Sequence, residues 1–331
     1  MKFAVRLGFL LLLLLVTGAV YLRMGSYSVS LSEFLDLVCG NGSEDARMVI
    51  FDIRLPRLLG AVCTGAALSL CGAVMQSIFN NPLVSPDILG VSSGAACGAS
   101  VALICGGSAA VVFFSAFGFG MAAVLATVLI ASAAGNVRGT LLVLVLAGIV
   151  VSAFFSGIVE LICAFNPRAD EFPSILFFLF GSMTRITFDD LWILAPFLLT
   201  ASLLLWKMSY ALDVISLGEA DATGLGVPAV RLRYTVIAIC SVICGIYIAK
   251  VGMIGWVGLI IPHMARLIMG VRHRLLIPSS MILGALFLTA VDLLCRNLLS
   301  YEIPVGIVTS LVGAPVFVVI LCRNFRRSRS A

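Results

Sequence analysis

Two carboxylates within long apolar stretches, Glu160 and Asp292, are the residues of this sequence that could transfer protons or ions inside a membrane. Each lies near one end of its stretch rather than at the middle. Asp292 is also one helical turn from Arg296, so these two side chains can pair with each other instead. The pattern therefore disfavours an ion-coupled secondary transporter of a small solute, which stays the alternative interpretation.

Phosphate, metal and nucleophile chemistry lack their usual residue patterns. The lysines Lys2, Lys207 and Lys250 do not close a glycine-rich phosphate-binding loop, so any ATP and Mg²⁺ must be bound by a separate chain. The ten cysteines include no CxxC pair, and neither His263 nor His273 has a cysteine at ligand spacing. We therefore predict no catalytic residue, no metal site and no cofactor in this chain, and no enzyme activity of its own.

The elements that hold these residues must lie in lipid. Of the 331 residues, 61% are hydrophobic and only 11% are charged, and the mean hydropathy is +1.17. A soluble domain carries about 25% charged residues, because its surface has to stay hydrated. This composition excludes a cytosolic enzyme, a secreted disulfide scaffold, a disordered chain and a nucleic-acid-binding protein.

Ten apolar stretches are long enough to cross a membrane as helices, since one crossing takes about 20 residues. The predicted spans are 4–22, 57–76, 88–106, 110–132, 140–163, 190–207, 233–249, 254–270, 278–296 and 304–322. Two shorter apolar stretches, Leu31–Val38 and Ile175–Phe180, are expected at the membrane surface. The first span follows basic residues, as a signal peptide does, but its length favours a retained helix.

The charges predict the orientation of these spans. With a cytoplasmic N-terminus, the inner side carries 13 of the 21 basic residues and four acidic residues, whereas the outer side carries eight basic and 12 acidic residues. Both termini are therefore expected in the cytoplasm. Because no polar stretch is long enough to fold alone, residues 1–331 are expected to form a single all-helical transmembrane domain, with its helices in one bundle.

Small residues recur at four-residue spacing within several spans. Such a spacing lets helix backbones approach closely in lipid. The residues are Gly65 and Ser69; Gly90, Gly94 and Gly98; and Gly148 and Ser152. We expect them to pack helices against one another.

The longest polar interruption on the inner side, residues 209–231, also carries apolar side chains such as Leu212, Leu217 and Leu225. Gly218 and Gly226 allow sharp turns within it. Two short helices could therefore project below the membrane and present an apolar face to another protein. A solvated connector is the alternative.

Arginines mark the outer ends of two spans. Arg54 and Arg57 precede and begin the second span, and Arg296 ends the ninth. A guanidinium at mid-membrane costs about 2.5–3.5 kcal/mol, so all three are expected at the interface. There they could bind carboxylates of an outer protein, or pair locally, Arg296 with Asp292 and Arg54 with Asp52.

Polar side chains cluster at the inner end of the second span, where Pro82 and Pro86 prevent a continuous helix. They are Gln76, Asn80, Asn81 and Ser85. Irregular backbone at this depth is tolerated beside a water-filled cavity, so these residues are candidates for the inner mouth of a translocation pathway. Helix capping and turn formation explain them equally well.

Five segments carry a family resemblance that covers residues 50–322 in order. They are Arg54-Leu55-Pro56-Arg57 with its continuation to Asn80-Asn81-Pro82-Leu83-Val84-Ser85-Pro86; Leu89-Gly90-Val91-Ser92-Ser93-Gly94-Ala95; Leu217-Gly218-Glu219-Ala220-Asp221-Ala222-Thr223-Gly224-Leu225-Gly226; Gly255-Trp256-Val257-Gly258 through Pro262-His263-Met264-Ala265-Arg266; and Ile303-Pro304-Val305-Gly306 through Gly313-Ala314-Pro315. Together they resemble the FecCD type of permease, which serves ABC importers of iron–siderophore complexes, haem and vitamin B12.

The resemblance implies partners and roles that the residue patterns alone do not show. It implies a second permease copy, most simply as a homodimer, two cytoplasmic ATP-binding subunits and an external substrate-binding protein. The ATPase-coupling residues would be Leu217, Gly218, Glu219, Ala222 and Gly226, and the residues that dock the binding protein would be Arg54, Arg57 and Arg296. Localisation in a prokaryotic cytoplasmic (inner) membrane follows from the same resemblance.

We therefore expect a multi-pass permease that passes ferric siderophore, haem or cobalamin inward, using ATP hydrolysis by a partner. An oxyanion is a further candidate substrate, because the sequence carries no substrate-specific motif.

Overall fold

The computed structural model describes residues 2–25, 27, 29–40, 43–134, 140–165, 172–299 and 301–329, and all structural statements concern these residues. Their regular secondary structure is entirely helical, which confirms the predicted fold class. The helices are α1 (Lys2–Arg23), α2 (Leu31–Val38), α3 (Glu44–Arg47), α4 (Leu55–Ile78), α5 (Val91–Ile104), α6 (Ala109–Ala133), α7 (Thr140–Phe165), α8 (Phe172–Phe180), α9 (Phe188–Lys207), α10 (Ser209–Ile215), α11 (Glu219–Gly224), α12 (Ala229–Val251), α13 (Val257–Met269), α14 (His273–Asn297) and α15 (Val305–Arg329).

Within the described ranges, seven helices are long and apolar enough to cross a membrane. They are α1, α4 together with the helical segment before it, α6, α7, α9, α12 and α14. Three shorter apolar helices are α5, α13 and the Val305–Val319 part of α15. Each of the ten predicted spans coincides with one of these helices, and the two predicted surface stretches coincide with α2 and with part of α8.

Several span boundaries differ from the prediction. The second span starts well before residue 57, because α3, a π-helical segment (Met48–Arg54) and α4 form one helix of 35 residues. By contrast, α5 starts at Val91 rather than 88, since a 3₁₀ turn (Pro86–Leu89) and Gly90 with a φ of 85° precede it. The 13 residues of α13 extend about 20 Å, which is less than the thickness of a hydrocarbon core.

Helix α4 forms the centre of the bundle. In the most apolar 18-residue stretch of the helix that contains α4, 83% of the residues are buried, compared with 6% in the corresponding stretch of α1. The helices α12, α13 and α14 all pack against α4, whereas α5, α6 and α7 pack mainly against one another. The residues at the two ends of α4 are therefore positioned by a helix that packs against several others.

Close helix crossings occur at several of the predicted small residues. A Cβ atom on Gly65 of α4 would overlap the carbonyl oxygen of Gly284 of α14, and Ser69 donates a hydrogen bond of 2.8 Å to the carbonyl of Ser280. A Cβ atom on Gly98 would likewise overlap the carbonyl of Ser115 in α6. The predicted packing role is confirmed for these glycines, because a larger residue would force the backbones apart.

We call the end of the bundle where α1 begins the inner end, and the opposite end the outer end, after the orientation predicted from the charges. The segments that sequence analysis singled out lie at these two ends.

Candidate functional site

The inner end carries the predicted pair of short helices, α10 and α11. Gly218 joins them with a φ of 130°, and Gly226 follows α11 with a φ of 79°. Both values lie in the region that side chains disfavour, so glycine is needed at each turn. The two short helices and the two sharp turns predicted for this segment are confirmed.

The turns leave an apolar surface exposed. The side chains of Tyr210, Leu217 and Leu225 are 67%, 65% and 55% exposed, although all three are large and apolar in character. Ala222, between the two leucines in sequence, is completely buried. This part of the segment therefore has a buried side that holds it to the bundle and an apolar side that faces away.

Side-chain bonds fix the segment to the spanning helices. Glu219 at the start of α11 forms an ion pair of 2.8 Å with Arg233 of α12, whose side chain is only 2% exposed. Asn80, just after α4, donates a hydrogen bond of 3.2 Å to the carbonyl of Ile215 at the end of α10. The segment is therefore bonded directly to α12 and to the residue that follows α4.

A third bond to the segment involves residues for which the sequence analysis assigned no role. Asp213 of α10 lies 2.6 Å from Nδ1 of His273, and Nε2 of His273 lies 2.5 Å from the hydroxyl of Ser77 in α4. Because the carboxylate of Asp213 can only accept, Nδ1 of His273 donates to it, and Nε2 of the neutral ring then accepts a hydrogen bond from the Ser77 hydroxyl. Ser77 is buried, and these bonds form a structural link between α10, α14 and α4. His273 gave no signal in sequence, because it stands between two arginines on the inner side.

A cavity of about 760 Å³ lies between this segment and the inner ends of α4, α13 and α14. Three of the four predicted pathway residues line it, namely Gln76, Asn80 and Asn81. Ser85 lies outside its lining, at the start of the 3₁₀ turn. Asn81 also accepts a hydrogen bond of 2.9 Å from the backbone of Leu83, so it shapes the turn as well as the cavity.

Gln76 joins α4 to α13 at the wall of this cavity. Its amide nitrogen donates to the carbonyl of Leu259 at 3.1 Å, and its amide oxygen accepts a hydrogen bond from Arg266. Arg266 is a second residue that sequence analysis did not assign. Neither its charge nor its spacing to Gln76 distinguishes it from the other inner arginines.

At the outer end, the guanidinium of Arg54 is buried and caps the end of α1. It donates to the carbonyl oxygens of Leu22 and Arg23 at 2.8 and 3.0 Å and to that of Tyr27. The predicted alternative of a pair between Arg54 and Asp52 is wrong, because the unsatisfied carbonyls at the end of α1 bind the guanidinium instead.

Arg57 is buried in an ion-pair cluster at the same end. Its Nε and Nη2 atoms bind both oxygens of Asp292 at 2.9 Å, and its Nη1 atom lies 2.8 and 3.0 Å from the oxygens of Glu302. Asp292 is fully buried and also accepts a hydrogen bond from Tyr21, whereas the side chain of Glu302 is 46% exposed. Arg57 therefore has one fully buried carboxylate partner, Asp292, and one half-exposed carboxylate partner, Glu302.

Arg296 is half-buried and does not pair with Asp292, contrary to the predicted alternative. Its guanidinium stacks on the ring of Tyr21 at 4.5 Å and donates to the carbonyl of Met24 at 2.7 Å. Asp292 instead forms an ion pair with Arg57 of α4. The three outer arginines thus lie close together, with Arg54 and Arg57 buried and Arg296 half-buried, and their role in docking stays a prediction.

The fold and these two ends define a multi-pass helical membrane permease with an exposed apolar segment at one end and an arginine cluster at the other. The model of the FecCD transport family matches residues 11–323. The chain belongs to this family, and it is a permease of a binding-protein-dependent ABC importer of the FecCD and BtuC type. This confirms the resemblance read from the five sequence segments. Such a permease is a transport component rather than an enzyme.

Relatives in this family are named for different substrates. The molybdate import system permease protein MolB of Haemophilus influenzae is 40% identical over 320 residues, which are 94% of each chain. The vitamin B12 import system permease protein BtuC of Klebsiella pneumoniae is 34% identical over 95% of this chain and 92% of its own length. The iron(3+)-hydroxamate import system permease protein FhuG of Bacillus subtilis is 32% identical over 94% of this chain and 95% of its own length.

A solved structure supports the same assignment. It shows an inward-facing conformation of an ABC transporter described as of metal-chelate type, with a TM-score of 0.85 and 37% sequence identity. The match covers 96% of this chain and 99% of that chain. The helical arrangement described above is therefore that of a known transporter permease.

Proposed function

We propose that this chain imports a metal-containing compound, namely a ferric siderophore, haem or cobalamin, into a prokaryotic cell across the cytoplasmic (inner) membrane. ATP hydrolysis by two cytoplasmic ATP-binding subunits drives the transport, and an external substrate-binding protein delivers the cargo. The ATP and Mg²⁺ belong to those subunits, and the permease works as a homodimer. No nucleic acid takes part.

The observation that carries this proposal is the inner segment with its exposed leucines. Leu217 and Leu225 offer an apolar contact to the ATPase, while Gly218 and Gly226 form the turns. Burial of Ala222 and the bond from Glu219 to Arg233 hold the segment to the bundle. An ATPase that moves this segment would therefore move the inner ends of α4 and α12, next to the inner cavity.

The outer arginines supply the second contact. A carboxylate of the binding protein can reach Arg57 where Glu302 now binds, because Glu302 is half exposed and Asp292 is not. Arg296 lies beside Arg54 at the same end and adds to the positive field. Docking would exchange one carboxylate for another, which makes it reversible and sensitive to salt.

The inner cavity is the proposed exit of the pathway. Gln76, Asn80 and Asn81 provide amide groups on its wall, and Ser85 follows on the adjoining turn. Polar amides suit a hydrated passage, since they can hydrogen-bond to water and to a passing polar compound. Their bonds to α13 and α10 place this wall under the control of the coupling segment.

A second candidate substrate is an oxyanion. It is favoured by the 40% identity to a permease named for molybdate, which exceeds the identity to the vitamin B12 and hydroxamate permeases quoted above. A small divalent oxyanion differs strongly in size and charge from a large chelate. Uptake of labelled molybdate and uptake of a labelled ferric hydroxamate, each measured with the other compound as an unlabelled competitor, therefore distinguish the two candidate substrates.

The coupling role is tested with Gly218→Pro in the complete transporter, reconstituted in vesicles with its ATPase and binding protein. Proline cannot adopt the φ of 130° found at this position. We expect normal membrane insertion and persistent ATP hydrolysis, with uptake reduced at least tenfold. Gly118→Pro is unsuitable as a control because it lies within a helix, so Gly157, a helical glycine with open space around it, is changed to alanine instead.

Unchanged uptake by the Gly218→Pro variant would contradict the coupling role. Accumulation that needs a proton gradient but no ATPase would instead support the ion-coupled alternative. Both outcomes are read from the same uptake curves, measured with and without ATP.

A further inference from the structure

A second cavity, of about 400 Å³, opens at the outer end. Its walls come from α8, the loop between α8 and α9, the end of α12 and the loop before α15, with one residue each from α5 and α6. Phe177 and Phe178 form an apolar side, and hydroxyl and charged groups form the other.

The walls of the cavity are fixed by backbone hydrogen bonds between distant parts of the chain. Ser182 donates to the carbonyl of Val251 at 2.7 Å, Met253 donates to that of Phe178 at 2.9 Å, and Val305 donates to that of Gly181 at 3.0 Å. The ends of α8 and α12 and the start of α15 are thus bound into one unit. Groups on this unit keep their relative positions, as a binding site requires.

The charges around the cavity leave one cation without an ion pair. Lys250 is paired with Asp190 at 2.5 Å, and Glu302 is paired with Arg57 at 2.8 Å. Arg185 is exposed at the cavity wall, and within the described residues it has neither an ion-pair partner nor a hydrogen-bond acceptor. Glu302 shares Arg57 with the buried Asp292 and keeps part of its negative charge, so Arg185 is the lining cation that is left to bind an anion.

Hydroxyl groups accompany this cation. Ser174, Ser182, Thr184 and Tyr301 all line the cavity. The hydroxyls of Ser182 and Thr184 are 2.8 Å apart, so one donates to the other and one hydrogen stays available for a ligand. A guanidinium with neighbouring hydroxyl donors is a set of groups that binds anionic oxygen atoms.

We propose that this outer cavity binds the anionic oxygens of the imported compound, with Arg185 as the cation that binds them. The inference rests on the proposed function and narrows its substrate class to compounds that carry negatively charged oxygen. A free oxyanion and the acidic oxygens of a metal chelate share this chemistry. Phe177 and Phe178 would lie against the apolar part of a chelate, whereas an oxyanion would use only the polar wall.

The experiment compares Arg185→Gln, Arg185→Lys and the unchanged chain in the assembled transporter. Arg47→Gln is the matched control, because Arg47 is also an exposed arginine of the outer side and lies away from this cavity. Binding of molybdate and of a ferric hydroxamate to the permease with its ATPase in lipid nanodiscs, without the external binding protein, is measured by equilibrium dialysis. We expect Arg185→Gln to weaken binding of one of these two probes three- to tenfold, about the strength of a partly exposed charge-assisted bond.

Arg185→Lys should retain part of the affinity, since it keeps the charge but not the planar fork. The probe that is affected identifies the source, namely molybdate for an oxyanion site and the hydroxamate for a chelate site. Equal affinities for Arg185→Gln and Arg47→Gln, or no binding of either probe to the unchanged complex, would overturn the proposal. Loss of the proposed function itself would appear separately, as absence of ATP-dependent uptake by the unchanged transporter.

Discussion

Replacing Asp292 by alanine should destabilise the permease strongly, because it leaves the Arg57 guanidinium in a buried site without its main partner. The side chain of Asp292 is fully buried and that of Arg57 is 9% exposed. The carboxylate binds two atoms of the guanidinium at 2.9 Å and accepts the hydroxyl hydrogen of Tyr21. Removing one partner of such a buried pair costs about 3–5 kcal/mol.

The lower end of this range applies here. Glu302 still contacts Nη1 of Arg57 and offsets part of the charge, so we expect a loss of about 3 kcal/mol. For a chain of 331 residues the entropy of unfolding is about 0.7 kcal/mol/K. The apparent melting temperature should therefore fall by roughly 4 °C.

The assay is thermal unfolding of the purified permease in a mild detergent. Asp52→Ala is the control, since Asp52 is an exposed carboxylate of the same outer region and its removal should change the melting temperature by less than about 1 °C. A double variant, R57M with D292L, removes both charges and should recover at least half of the loss. A melting temperature for Asp292→Ala within 1 °C of that of Asp52→Ala would refute the importance of the buried pair.

Two further predictions concern helix packing and docking. Gly65→Leu should destabilise the chain by about 1–3 kcal/mol, because the leucine side chain would meet the backbone of Gly284. Gly118 has open space around it, so Gly118→Leu should be tolerated in the same unfolding assay. Glu302→Gln should strengthen binding of the substrate-binding protein up to about fivefold at low salt, since it removes the carboxylate that competes for Arg57. Weaker or unchanged binding, measured by surface plasmon resonance at two salt concentrations, would argue against carboxylate exchange.

The fold was predictable from sequence because lipid imposes a simple rule on the chain. Every backbone polar group in the membrane has to be bonded within the protein, which leaves helices as the structure for long apolar stretches. The ten stretches therefore located ten helices, and the spacing of small residues identified Gly65 as a close-packing position, whereas its partner Gly284 was known only from the structure. Helix ends were less accurate, since the π-helical segment and the turn before Val91 depend on neighbours in space.

The turns and the apolar surface of the inner segment were predictable from sequence. Gly218 and Gly226 indicated where the chain reverses, and Leu217 and Leu225 indicated an apolar surface, because these features are local. The residues that bind the segment to the bundle were not predictable. Asp213 and His273 are 60 positions apart, and no local pattern relates them.

At the outer end, the positions of three arginines at the ends of apolar spans predicted a location at the membrane surface, since a guanidinium is too strongly hydrated to lie at mid-membrane. It could not decide their partners. Spacing along one helix allowed a pair between Asp292 and Arg296, but the crossing of α4 and α14 brings Arg57 closer to Asp292 from 235 positions away. Helical architecture and membrane location were thus set by local chemistry, whereas charge pairing was decided by which helices meet, because electrostatic contacts depend on distance in space rather than along the chain.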